Sequence, residues 1–438
     1  MSTPLLTALQ AFAHQDPLRM AMPGHKGQPL PALADYAAID FTELPPTGNL
    51  YEPGGPIEAA ETLWAQAWGA DACLFLTGGS TQGIHTALLA AGGVGAELLV
   101  DRVVHRSIHT GMALLDQRPV YLTRPWLAEG GVVGPLDPET VEKALDQHPN
   151  VKTVCITSPT YYGVLSDIGT IGRICHDRGA KLVVDGAHGA HLFLTGENPY
   201  QGADFVVTSA HKTLRAPGQS ALLFANGSAL ETLRRASMMF ATSSPAYPMM
   251  AALDACRDWY EGAGRARYRE TLAAVEELRR CYPALQTTDA PLDPGRFVLC
   301  VPDGYQVEAA LQAQNIWPEM ADRGHVVFIL TDGDDRESIT RLCHALDGLG
   351  LRGKPREGRF PPPPPLPRQV MTPRSAAFGP QVEVPLAEAQ GAVVAQQLAP
   401  YPPGVPICAP GEVLDKKNLS YLQEVGYNKT SIAILPRI

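Results

Sequence analysis

The apolar run FVVT at 205–208 leads directly into Ser209, Ala210, His211 and Lys212, so a lysine stands at the exit of a segment that reads as a buried strand. A primary amine there is either a solvated strand end or a nucleophile able to condense with a carbonyl group. In the segment KLVVDGAHGAH (181–191), Asp185 closes a second apolar run, and Lys212 follows 27 residues later. A carboxylate at the end of a strand buried on both faces is costly unless it meets a cation or a protonated nitrogen, although capping of the next turn is a simpler role. LTGGSTQGI (76–84) reads as strand, glycine turn and helix, with Gly79, Ser80 and Thr81 at the turn. Backbone N–H groups and hydroxyls at a helix amino terminus form an anion site, most naturally for a phosphate, though a glycine turn with an N-cap hydroxyl looks the same. The segment has neither the lysine of a P-loop nor the spacing of a dinucleotide fingerprint.

In DRVVHRSIHTG (101–111), His105 opens a helix after another strand end, where its flat ring can stack on a ligand or simply cap the helix. His188 and His191 lie three residues apart without an HExxH-type carboxylate, so no metal site is expected. The combination is more specific than its parts. A phosphate cradle, a strand-end aspartate and a Ser-x-His-Lys together supply what pyridoxal 5'-phosphate needs: a phosphate site, a Schiff-base lysine, and an acid group on the pyridinium nitrogen.

The elements that carry these residues alternate. Apolar, β-branched runs (LFLT, ELLVD, TVCITS, KLVVD, FVVTSA) are interleaved with helical-period segments such as TQGIHTALLAAGG, where Ile84, Ala87, Leu88 and Ala91 share one face. This pattern predicts a mostly parallel, doubly wound α/β sheet. Thr77, Asp101, Ser158, Asp185 and Ser209 all stand at the ends of these strands. Ligands in open α/β sheets bind there, which predicts that these residues line one site.

Residues 1–45 carry little periodicity and read as an amino-terminal arm containing MPGHKG, followed by a large domain over 46–255. A helical connection and a smaller α/β domain are expected over 256–358, from RFVLCVPDG, QVEAALQAQNI, HVVFILTDGDD and ESITRLCHALDGLG. FPPPPPLP begins a stiff linker and a carboxyl-terminal α+β region over 359–438.

Composition restricts the function classes. The 438 residues are 45% hydrophobic and 18% charged, which suits a globular chain with a large core. A net charge of −10 without a Lys/Arg-rich run argues against nucleic acid as a partner. The absence of an apolar stretch of ~18 residues, and of a basic flank before an apolar core at the amino terminus, predicts no membrane association. The eight cysteines are scattered singly, without paired spacing. A cytoplasmic, reducing compartment is the expectation.

Along most of its length the sequence resembles the Orn/Lys/Arg decarboxylase family of fold-type I pyridoxal phosphate enzymes, in the short bacterial form. The motifs MPGHKG, DFTEL, the GGST loop, DRVVHRS, SPTYYG, VDGAHGAH, SAHKTL, TSSPAYPMMAALDACR, YPPGVP and APGE occur in the family's order. The resemblance implies an aspartate-aminotransferase-like sheet flanked by helices. It implies that Lys212 bonds the cofactor, Asp185 pairs with the ring nitrogen, His105 stacks on one ring face and Ala187 packs on the other. Gly79, Ser80, Thr81, Ser209 and His211 would hold the phosphate, and His188 would belong to the same cofactor site. Thr242 and Ser243 of TSSP would reach the neighbouring subunit's phosphate, in a homodimer with shared sites or a higher oligomer. Lys212 or His211 would return the proton to Cα, and the substrate would be lysine, arginine or ornithine.

Two departures bear on the substrate. Gly186 stands where many members carry the acid of DEAHGAH, and Thr47, Gly48 and Asn49 with Leu50 and Tyr51 replace an acidic pair before a leucine and histidine. A distal ammonium or guanidinium needs a carboxylate partner, which leaves Glu43 or an acid of the second subunit. The rival readings are an aminotransferase or Cβ lyase, which would need an arginine for a retained carboxylate, and a non-catalytic cofactor-binding protein, which would be expected to lose Lys212 or Asp185.

Overall fold

In the computed structural model the described residues are 2–17, 19, 22, 23, 26, 34–227, 230–357, 360–400 and 404–436. Gly24, His25 and Gly27 of MPGHKG and residues 401–403 of YPPGVP lie outside them. The chain forms two compact units, Met1–Ala90 with Gly186–Glu270 and Ala91–Asp185 with Thr271–Ile438.

In the first unit, strand Ala221–Ala225 lies between Ala72–Leu76 and Phe205–Thr208 and runs antiparallel to both. Leu76 faces Ala221, and Thr208 faces Leu222. The ends of the two outer strands and the start of the middle one therefore share one edge, which carries Thr77, Ser209 and Ser220. Every residue of Ala72–Leu76 and Ala221–Ala225 is buried, as expected of strands covered on both faces. Aromatic rings fill the space beside them: Trp68 stacks on Phe224 with centroids 4.0 Å apart and on Tyr200 at 5.6 Å.

The amino-terminal segment differs from its aperiodic reading, because Pro4–His14 is a helix. Only Leu5 and Leu9 are buried on it, one i,i+4 pair, which is too short a signal for periodicity to reveal. Its first turn is held by tertiary structure: the carboxylate of Asp254, in helix Tyr247–Glu261, accepts from the backbone N–H groups of Leu5 at 2.9 Å and Leu6 at 3.2 Å.

In the second unit, four parallel strands lie in the order Lys181–Asp185, Thr153–Thr157, Glu97–Asp101 and Arg118–Leu122. Helices Pro138–Gln147 and Ile168–Asp177 start at Asp137 and Asp167, whose side chains accept from Glu139 N–H and Thr170 N–H. A smaller antiparallel sheet pairs Arg296–Cys300 and Met320–Ala321 with His325–Ile329. Helices Gly304–Gln312 and Arg336–Gly348, capped by Asp303 and Asp335, pack around it. Beyond the proline run, Val382–Pro385 pairs with Ser431–Ile434, and helix Lys416–Glu424 closes a separate apolar cluster.

Candidate functional site

At the sheet edge of the first unit, helix Gly79–Gly92 starts three residues after its strand ends. Gly79 has φ +72°, the left-handed region that glycine enters without strain. The side-chain oxygen of Gln82 reaches back to Gly78 N–H at 2.8 Å, and its amide nitrogen donates to Ser237 Oγ at 2.9 Å. Ser80 and Thr81 sit in the first turn, half-buried and exposed respectively. At the same edge the short helix Ala210–Thr213 follows strand Phe205–Thr208, and Lys212 N–H donates to Ser209 O at 3.1 Å.

Lys212 Nζ lies 3.0 Å from His188 Nε2, and His188 is buried. One of the two nitrogens must accept at that distance, so the contact is a hydrogen bond and not an ion pair. His211 Nδ1 donates to Ser220 O at 2.8 Å. Ala187 O accepts from Ser209 N–H at 3.3 Å and ties the segment after Asp185 to the strand end. Thr242 and Ser243 are exposed, and Thr242 O accepts from Tyr51 Oη at 2.7 Å.

The pyridoxal phosphate expected from the sequence fits this edge. Ser209 is fully buried, yet its Oγ has no hydrogen-bond partner among the described residues. A buried hydroxyl rarely goes unsatisfied, and a phosphate oxygen opposite the amino terminus of Gly79–Gly92 would supply the missing partner.

At the carboxyl edge of the second unit's sheet, Asp185 is 4% exposed and stands in register beside Thr157. Its carbonyl accepts from Ser158 N–H at 3.1 Å. His105 caps helix Arg106–Leu114, accepting from Ser107 N–H at 3.2 Å, and its ring is exposed. Next to these strand ends is a pair that sequence reasoning missed. Asp101, fully buried, accepts from Arg124 Nη2 at 2.5 Å and Nε at 3.0 Å, and from Thr157 N–H at 3.2 Å. Arg124 also donates to the carbonyls of Thr157 and Gly134 and to Ser166 Oγ. Its guanidinium is thus committed to the protein, and it is no clamp for a substrate carboxylate. The signal available in the sequence was only an arginine soon after a strand-end aspartate.

The departures at Gly186 and at residues 47–49 have local explanations. A Cβ at Gly186 would come within 3.0 Å of Tyr200 Oη, so the buried Tyr200 ring takes the space a larger side chain would need. Thr47, fully buried, donates to Thr42 O at 2.7 Å and accepts from Leu44 N–H at 3.0 Å, so this stretch is a turn held by its own hydroxyl. Glu43 accepts from Thr42 Oγ1 at 2.5 Å and has no ion-pair partner among the described residues.

Comparison with known proteins decides the family. The model of the Orn/Lys/Arg decarboxylase major domain matches residues 3–291, and that of the Orn/Lys/Arg decarboxylase C-terminal domain matches residues 363–431. The chain belongs to the Orn/Lys/Arg decarboxylase family. Arginine decarboxylase of Bacillus subtilis (strain 168) is 30% identical over 96% of this chain and 93% of its own. The inducible lysine decarboxylase of Escherichia coli (strain K12) is 23% identical over 96% of this chain and 76% of its own. Among solved structures, the Francisella novicida lysine decarboxylase superposes with a TM-score of 0.83 at 20% identity, covering 99% of this chain and 81% of that one. The Sphingomonas wittichii serine palmitoyltransferase reaches 0.54 at 17% identity, over 67% of this chain and 76% of that one. The family's fold, the fold-type I arrangement expected from the sequence, is therefore the fold of this chain.

Proposed function

We propose that this protein removes the α-carboxylate of a basic amino acid as carbon dioxide and leaves the primary amine, using pyridoxal 5'-phosphate bonded to Lys212. The observation that carries the reading is Lys212 at a strand end beside His188 and an unsatisfied Ser209 hydroxyl, in a chain of this family. When bound, the cofactor supplies a conjugated ring that takes up the electron pair left as carbon dioxide departs. Asp185 would keep a proton on the ring nitrogen by favouring its charged form. Ser80, Thr81 and Ser209, with the backbone at Gly79, would hold the phosphate. His105 would cover one face of the ring and Ala187 the other. His211 Nε2 would meet the phosphate while its Nδ1 stays on Ser220 O. Lys212 Nζ or His211 would return the proton to Cα, and His188 Nε2 would hold Lys212 Nζ through their hydrogen bond.

Thr242 and Ser243, exposed in the single chain, complete the phosphate site of a second subunit in a homodimer. Among substrates, arginine comes first, because the relative with 30% identity and near-complete coverage is named for it, followed by lysine and ornithine. Loss of a charge-assisted contact costs ~1.5–3 kcal/mol, so the replaced acids at 47–49 and 186 predict only a shallow preference among these. The test is to supply the cofactor-loaded protein with each amino acid and measure carbon dioxide beside amine. Equal amounts from a basic amino acid are expected; keto acid without carbon dioxide, or no turnover, would overturn the reading.

A further inference from the structure

The segment Pro217-Gly-Gln-Ser220, which no motif singled out, joins the two halves of the first unit's edge. Gln219 has φ +77°, a conformation that an L side chain rarely adopts and that persists only where its surroundings enforce it. One hydrogen bond holds it here, and the backbone packs beside a glycine turn. Its side-chain Nε2 donates to Thr77 O at 2.5 Å, at the exit of strand Ala72–Leu76. Its backbone oxygen stands 3.5 Å from the position a Cβ on Gly79 would take, so it backs directly onto the GGST turn. The next residue faces the other way: Ser220 O accepts from both His211 N–H and His211 Nδ1, one position before Lys212. Ser220 is itself fully buried, with its hydroxyl on Pro217 O at 2.7 Å.

Two consecutive residues therefore grip the phosphate turn on one side and the lysine turn on the other. A left-handed glutamine is what makes this possible, because it aims the amide at Thr77 while the chain enters strand Ala221–Ala225 in register with Leu76. We infer that Gln219 is a positioning residue that holds the Thr77–Gly79 turn at the spacing from Lys212 that a phosphorylated pyridoxal requires. The inference rests on the cofactor reading above and adds a residue to it. Gln219 does not touch the reacting atoms; it acts through the Thr77 carbonyl, beside the Gly79 turn.

Gln219→Gly separates the amide from the backbone, since glycine accepts the positive φ but has no side chain to donate. The experiment measures dissociation constants of the apoprotein for pyridoxal 5'-phosphate and for pyridoxal, with the bonded lysine located by borohydride reduction and peptide mass spectrometry. In Gln219→Gly the phosphorylated form is expected to bind about three- to tenfold more weakly, the loss of one hydrogen bond. Pyridoxal is expected to bind within about twofold of the parent, and the thermal midpoint of the apoprotein to stay level or rise. Gln219→Glu, which cannot donate to a carbonyl, should show the same selective loss. The inference is overturned if Gln219→Gly binds the phosphorylated form as the parent does, or if both ligands weaken equally. A parent that shows no adduct on Lys212 would overturn the cofactor reading and this inference together, which distinguishes the two failures.

Discussion

Asp101→Asn replaces one oxygen by nitrogen and removes the counter-charge of a buried guanidinium. The Asp101 carboxylate accepts from Arg124 Nε and Nη2, from Val103 N–H at 3.0 Å and from Thr157 N–H, with both side chains at most 1% exposed. An asparagine keeps one acceptor oxygen and turns its NH2 toward other donors, so Arg124 is left charged and under-paired. Breaking one side of such a pair costs ~3–5 kcal/mol. An unfolding entropy of roughly 2.1 cal/mol/K per residue over the 438 residues amounts to ~0.9 kcal/mol/K, so the thermal midpoint should fall by ~3–5 °C. Differential scanning calorimetry of the apoprotein reads this directly, and the drop should persist at high salt because buried charges are poorly screened. Asp101→Leu with Arg124→Met removes both charges and should recover part of the loss, since the Val103 and Thr157 N–H groups still lack the carboxylate. Activity should fall in the single variant, since Arg124 and Asp101 grip both sides of Thr157, the strand neighbour of Asp185. A midpoint shift under about 1 °C for Asp101→Asn, or a double variant less stable than either single one, would refute the reasoning.

Asp185→Asn should retain the fold and the cofactor but lose most of its carbon dioxide release, because an amide cannot keep the ring nitrogen protonated; turnover at the parent rate would exclude that role. Mixing Lys212→Ala chains with Thr242→Ala/Ser243→Ala chains should restore roughly a quarter of the parent activity, since each hybrid dimer regains one of two sites. No rescue despite confirmed subunit exchange would mean that sites are not shared. The third expectation concerns pH. Burial alone would lower the His325 pKa, but hydrogen bonds and charge from Asp322 outweigh it and push it up to about 10. The stabilisation is complete below the ordinary value of 6.5 and is lost as pH rises toward 10, a span worth up to ~5 kcal/mol. The parent's thermal midpoint should therefore drop more between pH 6.5 and 10 than that of His325→Gln, and parallel curves would count against it.

Much of the architecture was legible in the chain because it is written at short range. Runs such as TVCIT and KLVVD carry three consecutive apolar residues between polar ends, as short buried parallel strands do, and they form strands at Thr153–Thr157 and Lys181–Asp185. His105 was read as opening a helix and caps Arg106–Leu114. The order of the motifs led to the family, since so many short patterns in sequence leave few alternatives.

What sequence could not show depends on groups distant in the chain or on backbone angles. Helix Pro4–His14 is fastened by Asp254, some 250 residues away, and only folding brings that carboxylate to its first turn. Asp101 and Arg124 meet because parallel pairing aligns the ends of their strands, a register that no local period encodes. Gly186 looked like a lost acid, whereas packing shows its space filled by Tyr200. Gln219 is an ordinary polar residue in sequence, and only its positive φ and its bond to Thr77 reveal a clamp. Periodicity and motif report the local preferences of the chain; the partners that satisfy a buried charge or hold a strained residue are chosen by tertiary packing, which acts across distances that spacing does not measure.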